Sequence, residues 1–453
     1  MRAFALIWGG QTISSIGSQM TAFALGLWLF ERTGQATSLA LVVLASAVPQ
    51  LILTLLAGPI VDRFPRKRLM IGGDLAAAGV TLFYLALITG GAIPEWAIYL
   101  GAALLGTVDR VQKLAYDASI TMLVPKRQYM RAGAMVTLTY YASDILAPAS
   151  AAALYPVLGL AGILWMDFIS YGVAIVATGI TRIAQPPRTL AAPGQPLLRR
   201  VALDLLFGFR VIWACRPLRI FLLVNMLFMF SHDFAGVLYT PMILARTGND
   251  AGVVAAWTVA MGVGGILMSV IVSTTGGPRN RMAAFGWSTL LAGVGKLLVG
   301  AGQSLRMWIP AQFFTSLNFP LRGSAWSAIW RSKIAAGEQG RVFAVTAALL
   351  QLTGMIGVAL AGPLADRVLE PAMAPGGALA GALGPWLGTG PGAGMSAAIV
   401  LVAPIMIAAG VLALRLPVLR TLDGDLPDAD AEVAPVLHLL PEDGPLPLIE
   451  ASS

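Results

Sequence analysis

The chain has little charge for its length. Only 11% of its 453 residues are Asp, Glu, Lys or Arg, against about 25% in an average soluble domain. A soluble protein of this size needs a charged surface around several cores, so the composition excludes a soluble multidomain enzyme. The strands of an outer-membrane barrel alternate polar and apolar residues. The long apolar runs of this chain, 57% hydrophobic overall, exclude that class as well.

Cysteine and histidine are nearly absent. The one cysteine, Cys215, cannot form an internal disulfide, and two histidines are too few for a histidine-built metal site. The chain has no G-x-x-x-x-G-K-[ST] loop, so it carries no nucleotide-driven motor of its own. The sequence also shows no nucleophile and base that would come together in a catalytic site. We therefore expect no enzyme activity, no catalytic residues, no metal site and no cofactor.

Long apolar stretches dominate what is present. At roughly 20 apolar residues per helical span, they predict an all-α membrane protein with twelve transmembrane helices. The first stretch is too long for the apolar region of a signal peptide, so we interpret it as the first span. The predicted spans are 3–30, 37–61, 70–91, 95–123, 129–156, 160–183, 219–245, 252–275, 282–302, 306–330, 341–365 and 396–416.

A polar linker that contains several prolines divides the spans into two groups of six. The predicted units are an N-terminal half (1–183), a cytoplasmic linker (184–218), a C-terminal half (219–416) and a disordered acidic tail (417–453). After Arg420 the tail has eight acidic residues, five prolines and no lysine or arginine. The segment 371–395 is rich in glycine and proline but too apolar for a solvated loop, so we expect an interfacial or re-entrant hairpin there.

The net charge of +8 follows the predicted topology. Of the 30 lysines and arginines, 22 lie at the termini and in the loops on their side of the membrane, four lie in the opposite loops and four lie within spans. A basic balance also suits nucleic-acid binding, but this asymmetry is typical of the positive-inside rule. We expect a multi-pass protein of the plasma (inner) membrane with cytoplasmic termini and no nucleic-acid partner.

The loop after the second span reads G-P-I-V-D-R-F-P-R-K-R and begins at Gly58. It resembles the motif G-x-x-x-D-R-x-G-R-K of the major facilitator superfamily, with Pro65 in place of the usual glycine. The resemblance implies a fold of two six-helix halves. The physical interpretation is a cytoplasmic latch in which Asp62 accepts hydrogen bonds from a facing helix N-terminus and Arg66 reaches an acid. The residues assigned to it are Gly58, Asp62, Arg63, Arg66, Lys67 and Asp117. The alternative is that the bases only set the topology.

Three further stretches resemble the macrolide-efflux and enterobactin-exporter-like branch of this superfamily. They are G-P-L-A-D-R-V-L-E-P-A-M from Gly362, Q-G-R-V-F-A from Gln339 and G-G-P-R-N-R from Gly276. This resemblance implies export of drugs or siderophores. In the fifth span, L-A-P-A-S-A-A stands where antiporters of the superfamily carry G-P-x-x-G-G. Alanine and serine in place of those glycines still permit tight helix packing.

Ionisable residues within spans cost about 2.5–3.5 kcal/mol each on insertion scales, so each needs a partner or a function. Asp144 has no adjacent base in its span, which makes it the first candidate for proton coupling. The alternative is an ion pair with Arg110 or Lys113 of the fourth span. Asp109 is the second candidate, and its alternative is a self-neutralising ladder with Lys113.

His232 and Asp233, near the middle of the seventh span, form the third candidate for proton coupling. The alternative for Asp233 is a salt bridge to Lys296 or Arg322. Polar residues on one face of the first span and aromatic residues in the C-terminal half suggest a cavity for amphipathic ligands. The predicted substrate-cavity residues are Gln11, Ser15, Gln19, Phe230, Phe314, Asn318, Arg322 and Trp326. Ordinary packing or contact with lipid is the alternative for each aromatic residue.

These observations predict a monomeric secondary transporter that exports amphipathic, macrolide- or drug-like molecules by proton antiport. Two six-helix halves would rock about a central site, and protonation of a buried acid would bias the equilibrium between the two states. The alternatives are a dedicated siderophore or natural-product exporter and a non-transporting membrane sensor on the same scaffold. Expected partners are the small-molecule substrate, protons and the lipid bilayer.

Overall fold

The computed structural model describes residues 2–91, 93–125, 129–182, 197–335 and 338–422. Side chains are outside this description at 55–63, 117–118, 121, 129–131, 133–134, 137, 140–141, 197–198 and 200. The described residues form helices and no strand. The main helices are α1 (Arg2–Thr33), α2 (Ala36–Arg63), α3 (Arg66–Thr89), α4 (Glu95–Leu123), α5 (Tyr129–Ile180), α6 (Leu197–Ala214), α7 (Arg216–Thr247), α8 (Ala251–Thr275), α9 (Arg281–Ala301), α10 (Leu305–Lys333) and α11 (Gln339–Leu364). They are followed by a π-helical turn (Ala365–Leu369), α12 (Glu370–Met373), α13 (Ala380–Leu387), α14 (Ala393–Arg415) and α15 (Pro417–Arg420).

The helices are long and apolar enough for a membrane protein. Within the described ranges, nine helical segments meet both criteria for crossing a bilayer. One of them, Ala142–Ile180, is 39 residues long and covers parts of two predicted spans. Helices α4 and α10 are also long, but α4 carries more charged residues and α10 is less apolar. Counting α5 as two spans and adding α4 and α10 makes the architecture consistent with the predicted twelve. The all-α membrane fold is confirmed.

The predicted fifth and sixth spans form one element, α5, which folds back at Gly159. Gly159 has φ 63° and ψ −175°, a conformation open to glycine because it lacks a Cβ. Both limbs pack along α1. Near the start of α1, Trp8 Nε1 donates to the Met135 carbonyl over 2.8 Å, while Gly10 lies against Ala177 of the other limb. The reversal at Gly159 therefore makes the two limbs antiparallel.

Helices α1–α5 form one half of the molecule, and helices α7–α14 form the other. The halves meet mainly where α2 packs on α11 and where α5 packs on α8. The described residues of the loops rich in arginine and lysine, with the start of α1 and the end of α14, lie at one end of the bundle, named here the basic end. The opposite end, where α2 begins and α11 ends, is named the distal end. Most predicted span boundaries agree with the helices to within a few residues.

The predicted linker contains the amphipathic helix α6. One face packs on α11, where Gly208 lies against the backbone of Arg341 and the Arg341 guanidinium lies 3.8 Å from the centre of the Phe207 ring. The other face exposes apolar side chains, including Leu203 and Trp213. The acidic tail predicted to be disordered (417–453) begins with the short helix α15, in which Leu419 is buried, and its residues after Leu422 lie outside the described residues. The division into these units stays a prediction.

The glycine- and proline-rich segment 371–395 folds over the distal end of the C-terminal half. It contains α13, and its carbonyls accept hydrogen bonds from Arg246 at the end of α7. The Arg246 guanidinium donates to Leu387 O over 2.6 Å, to Gly302 O over 3.0 Å and to Gly392 O over 3.4 Å. Trp386 of α13 is 77% exposed, as expected of an aromatic residue at a membrane interface.

Candidate functional site

Two aspartates in the N-terminal half are fully buried and well bonded. Asp74 accepts hydrogen bonds from Gln112 Nε2 at 2.6 Å and from Gln11 Nε2 at 3.1 Å, so it joins α1, α3 and α4. Asp167 accepts from Ser18 Oγ at 3.2 Å and from Thr81 Oγ1 at 3.4 Å. Each is 1% exposed. Because buried polar groups with several partners hold elements together, we assign both a structural role. Gln11, predicted to line the cavity, is held in this network.

Asp144 is only half-buried and has one described hydrogen bond. Gln19 Nε2 of α1 donates to Asp144 Oδ1 over 3.2 Å. One turn along α1, Ser15 accepts from Ser143 Oγ at 3.0 Å. The structure thus brings Gln19 and Ser15, two predicted cavity residues, to the predicted proton-coupling acid. No ion pair to Arg110 or Lys113 forms among the described residues, so the alternative for Asp144 finds no support.

Asp109 and Lys113 lie one turn apart on α4, and both side chains are exposed. Within the described ranges no hydrogen bond or ion pair holds the Asp109 carboxylate. The Nε atom of Arg110, the next residue, is buried without a hydrogen-bond partner. Asp117 follows one turn later on the same face of α4, and its side chain lies outside the described residues. The roles of Asp109 in proton exchange and in a charge ladder both stay predictions.

In the C-terminal half, His232 and Asp233 lie at the middle of α7. His232 Nε2 is 4.0 Å from Asp233 Oδ1, and the two side chains are 36% and 38% exposed. The His232 ring packs on Phe319 of α10 with centroids 4.9 Å apart. The Asp233 carboxylate lies against α11 at Gly354. This pair is therefore accessible from one side and packed between three helices on the other.

Two cations lie deeper in the same half. Lys296 is 1% exposed, and its Nζ donates to Tyr239 OH over 3.0 Å and to the His232 carbonyl over 3.4 Å. Arg322 is 7% exposed, donates to Asn225 Oδ1 and lies over the Phe228 ring at 3.5 Å. In the described part of the chain, neither forms an ion pair with Asp233. Both are close enough to α7 for their charge to act on it through a medium of low dielectric.

The other predicted cavity residues occupy varied positions. Phe230 is half-buried and packs on Phe234 with centroids 6.0 Å apart. Asn318 donates to the Phe314 carbonyl over 2.8 Å within its own helix. Trp326 belongs to an aromatic cluster with Phe221, Phe285 and Trp330. The structure thus places Phe314 and Asn318 one turn apart on α10. Trp326 lies in the aromatic cluster, nearer the basic end.

An apolar cavity of about 830 Å³ lies between the halves toward the distal end. Helices α5, α8 and α10 line it, and it is open on one side. Its wall consists largely of small residues, with a few larger apolar ones, and includes Ala152, Ala256, Val259, Pro310 and Phe313. Its volume is within the range of sites that hold drug-sized molecules, about 300–1,000 Å³. Such a wall suits the apolar part of an amphipathic ligand.

The predicted cytoplasmic latch is described only in part. The side chains of Asp62, Arg63 and Asp117 and the packing around Gly58 lie outside the description. Arg66 is half-buried at the first residue of α3. Lys67 Nζ donates to the carbonyls of Gly179 and Thr181, the latter over 2.9 Å, where α5 ends. A lysine in this position satisfies terminal carbonyls of the helix.

Some residues that build these sites carry no strong sequence signal. Gln112 and Asn225, which bind Asp74 and Arg322, are isolated polar residues in apolar spans. Asp366 also lies outside the sites predicted from the sequence, although it bonds the first residues of α2. A repeat that could have identified it, G-P-x-x-D-R, occurs once in each half.

Comparison with known proteins finds a family model and curated relatives that match most of this chain. The Major Facilitator Superfamily model matches residues 7–368. Macrolide efflux protein A of Streptococcus pyogenes is 26% identical over 370 residues, 81% of this chain and 90% of that protein. The multidrug efflux pump Tap of Mycolicibacterium fortuitum is 22% identical over 362 residues, 77% of this chain and 86% of that protein.

Solved structures share the fold. A bacterial homologue of the human lysosomal transporter Spinster, in an inward-facing and unoccupied conformation, matches with a TM-score of 0.64 at 14% identity. The match covers 91% of this chain and 95% of that one.

Proposed function

The chain belongs to the Major Facilitator Superfamily and is a membrane transporter, and we propose that it exports amphipathic, macrolide- or drug-like molecules in exchange for protons. The observation that carries this proposal is a pair of partly exposed carboxylates, Asp144 and Asp233, one in each half at the middle of a span. In the described part of the chain, neither has a lysine or arginine within ion-pair distance. Relatives named for macrolide and multidrug efflux support the direction and class of transport.

The contrast among the buried acids supports proton exchange at Asp144. Asp74 and Asp167 have several donors each and no exposure, so protonation there would break a structural network. Asp144 has a single described donor, Gln19, and its carboxylate is half-exposed. An acid that is desolvated, weakly bonded and still accessible is suited to gain and lose a proton.

Asp233 differs from Asp144 because two buried cations stand behind it. Lys296 and Arg322 donate hydrogen bonds to neutral groups, Tyr239 and Asn225. The Asp233 carboxylate is partly exposed on the accessible side. We propose that Asp144 is the principal coupling acid and that the His232–Asp233 pair recognises the substrate or carries a second proton.

The apolar cavity supports the proposed substrate class, and the basic end supports the proposed direction of transport. A cavity walled by alanine, valine and phenylalanine binds the apolar part of a ligand with little directional bonding. The carboxylates then attract a basic group on the same molecule. We place the basic end in the cytoplasm of a plasma (inner) membrane, because the arginine-rich loops follow the positive-inside rule. Transport then runs from the basic end to the distal end.

The first experiment measures efflux of a macrolide and of a lipophilic cationic dye from cells that lack their major pumps. Wild type, Asp144→Asn and Asp233→Asn are compared with and without a protonophore. The control is Asp204→Asn, an exposed acid of α6. We expect the protonophore to abolish wild-type efflux. We expect Asp144→Asn to reduce efflux roughly 5- to 150-fold, the change that corresponds to a coupling free energy of about 1–3 kcal/mol.

Each result decides a different part of the proposal. Full efflux by Asp144→Asn together with loss in Asp233→Asn would transfer the coupling role to α7. Efflux that resists the protonophore would overturn proton antiport. No efflux of either probe, with the protein present in the membrane, would overturn the drug-like substrate class and favour an exporter of one natural product.

A further inference from the structure

The Asp366 carboxylate binds the first residues of a helix in the other half of the molecule. Its Oδ1 accepts from the Ala36 amide at 3.1 Å, and its Oδ2 accepts from the Thr37 amide at 2.7 Å and from the Thr37 hydroxyl. Ala36 begins α2, whose first amides have no partner within the helix. A carboxylate at a helix N-terminus satisfies these donors and interacts favourably with the helix dipole. Asp366 therefore caps α2 from 329 residues away.

This contact supplies most of the hydrogen bonds between described residues of the two halves. Among hydrogen bonds that join described residues of the two halves, three go to Asp366 and the fourth joins Gln351 Nε2 to the Ala47 carbonyl. Hydrogen bonds to charged groups are stronger than neutral ones. Asp366 is thus the main described polar attachment between α2 and α11.

The local backbone is shaped for this contact. Asp366 lies in the π-helical turn Ala365–Leu369 that follows α11, a rare conformation often found at functional sites. Gly362, one turn earlier, lies so close to the Thr37 backbone that a Cβ atom there would overlap it. Gly362 therefore permits the approach of α2 that brings its first amides to Asp366.

The turn that carries Asp366 is also fixed to its own half. Glu370 Oε1 accepts from the Met395 amide at the start of α14 over 3.1 Å. Arg246 joins α7 to the same region through carbonyls of Gly302, Leu387 and Gly392. Asp366 therefore moves with the C-terminal half, while Ala36 and Thr37 move with the N-terminal half.

The sequence around Asp366 is repeated at the other end of the molecule. Residues 58–63 read G-P-I-V-D-R and complete α2, and residues 362–367 read G-P-L-A-D-R and run from the last turn of α11 into the π-helical turn. The two helices pack on each other, so each ends near the N-terminus of the other. The repeat thus provides one aspartate at each end of the same helix pair.

We propose that Asp366 is the latch of the distal end, which holds the two halves together in the state that is closed there, and that breaking its contact with Ala36 and Thr37 is required before the distal end opens. The proposal rests on the proposed transport by rocking of the halves. It does not depend on the substrate or on the coupling ion. Asp366 is a positioning residue that sets which state the transporter occupies.

The test measures accessibility and needs no substrate. The natural cysteine is replaced by Cys215→Ser, and Ala36→Cys provides a reporter at a position that is 0% exposed. Its labelling rate with a membrane-impermeant maleimide is measured from the distal side of proteoliposomes. A separate protein carries Gln35→Cys, an exposed neighbour, as the control for reagent access.

Asp366→Ala is expected to raise the labelling rate of the Ala36→Cys reporter roughly 10- to 100-fold, the effect of losing charge-assisted hydrogen bonds. Gly362→Leu, which inserts a side chain between α2 and α11, is expected to change the rate in the same direction. The matched control is Asp250→Ala. Asp250 caps α8 at the same end by accepting from Gly252 and Val253 amides, but it does so within one half, so its loss leaves the rate unchanged.

Unchanged labelling in both Asp366→Ala and Gly362→Leu, in protein that elutes as wild type on size exclusion, would overturn the latch. An equal increase in Asp250→Ala would also overturn it, because general loosening of the distal end would then explain the effect. Asp366→Asn, which keeps the side-chain shape, serves if the alanine variant does not fold. Increased labelling in a protein that exports no macrolide would support the latch and refute only the proposed substrate class.

Discussion

Five aspartates lie within the predicted N-terminal spans, and the surroundings of the four whose side chains are described separate structural acids from the candidate coupling acid. Asp74 and Asp167 are fully buried and bonded by several donors. Asp144 has one described donor, and Asp109 is exposed without one in the described ranges. Removing a well-bonded buried acceptor leaves its donors unsatisfied, whereas removing the charge of a weakly bonded acid alters chiefly its protonation.

Asp74→Ala is therefore expected to destabilise the protein. Gln11 and Gln112 would lose a charged acceptor in a buried site, at a cost of about 1–3 kcal/mol for each group left unpaired. Thermal unfolding of the detergent-purified protein, followed by size exclusion after heating, measures the change. Asp144→Asn is the comparison and should unfold close to the wild-type temperature. If Asp74→Ala were as stable as wild type, the structural role of this network would be wrong.

At the scale of elements, the length of the apolar stretches predicts nearly all of the helices. The predicted spans agree with α1–α5, α7–α11 and α14 because apolar length is the requirement that the bilayer imposes. The reversal at Gly159 could also be anticipated from the proximity of Pro156. The contacts of Gln112, Asn225 and Asp366 could not be predicted, because isolated polar residues do not reveal which neighbouring helix they face.

Arg246 provides a second prediction, at the scale of elements. It joins the ends of α9 and α13 to the start of α14 through three carbonyls. Arg246→Ala is expected to release α13, so that hydrogen exchange in residues 374–392 becomes at least about tenfold faster, because local opening then costs less free energy. Lysine cannot reproduce the planar fork of donors, so Arg246→Lys should give an intermediate rate.

The control for this prediction is Arg32→Ala at the same end of the bundle. The Arg32 guanidinium lies over the Trp28 ring at 4.5 Å, and the side chain is exposed. Its removal should leave exchange in 374–392 unchanged. Equal exchange in wild type and Arg246→Ala would show that α13 is held by its apolar packing on α14 alone.

At the scale of the whole molecule, the described polar bonds between the halves are concentrated toward one end. Three of them lie at Asp366 and the fourth lies farther along the same helix pair at Gln351. Two rigid halves that rock about a central site separate at one end as they approach each other at the opposite end. Opening at the distal end should therefore be coupled to closing at the basic end.

Spin-label distances can test this coupling. In a Cys215→Ser background, one pair joins Gln35 to Val368 across the distal end, and another joins Phe64 to Arg331 across the basic end; all four positions are exposed. Asp366→Ala is expected to add a longer distance to the distal pair and a shorter one to the basic pair. The two new populations should be equal in size, because one rotation of the halves produces both.

A pair within the C-terminal half, Val368 with Trp386, separates rocking from local change, since both positions move with the same half. Its distance should not change in Asp366→Ala. If the distal pair lengthened while the basic pair kept its wild-type distance, the latch would govern only a local gate formed by α2 and the end of α11. If the pair within the half also lengthened, the π-helical turn would have come loose from α14, and loss of the Glu370 contact would be the cause. Equal and opposite changes across the two ends, with an unchanged distance within the half, are the result that rigid-body rocking requires.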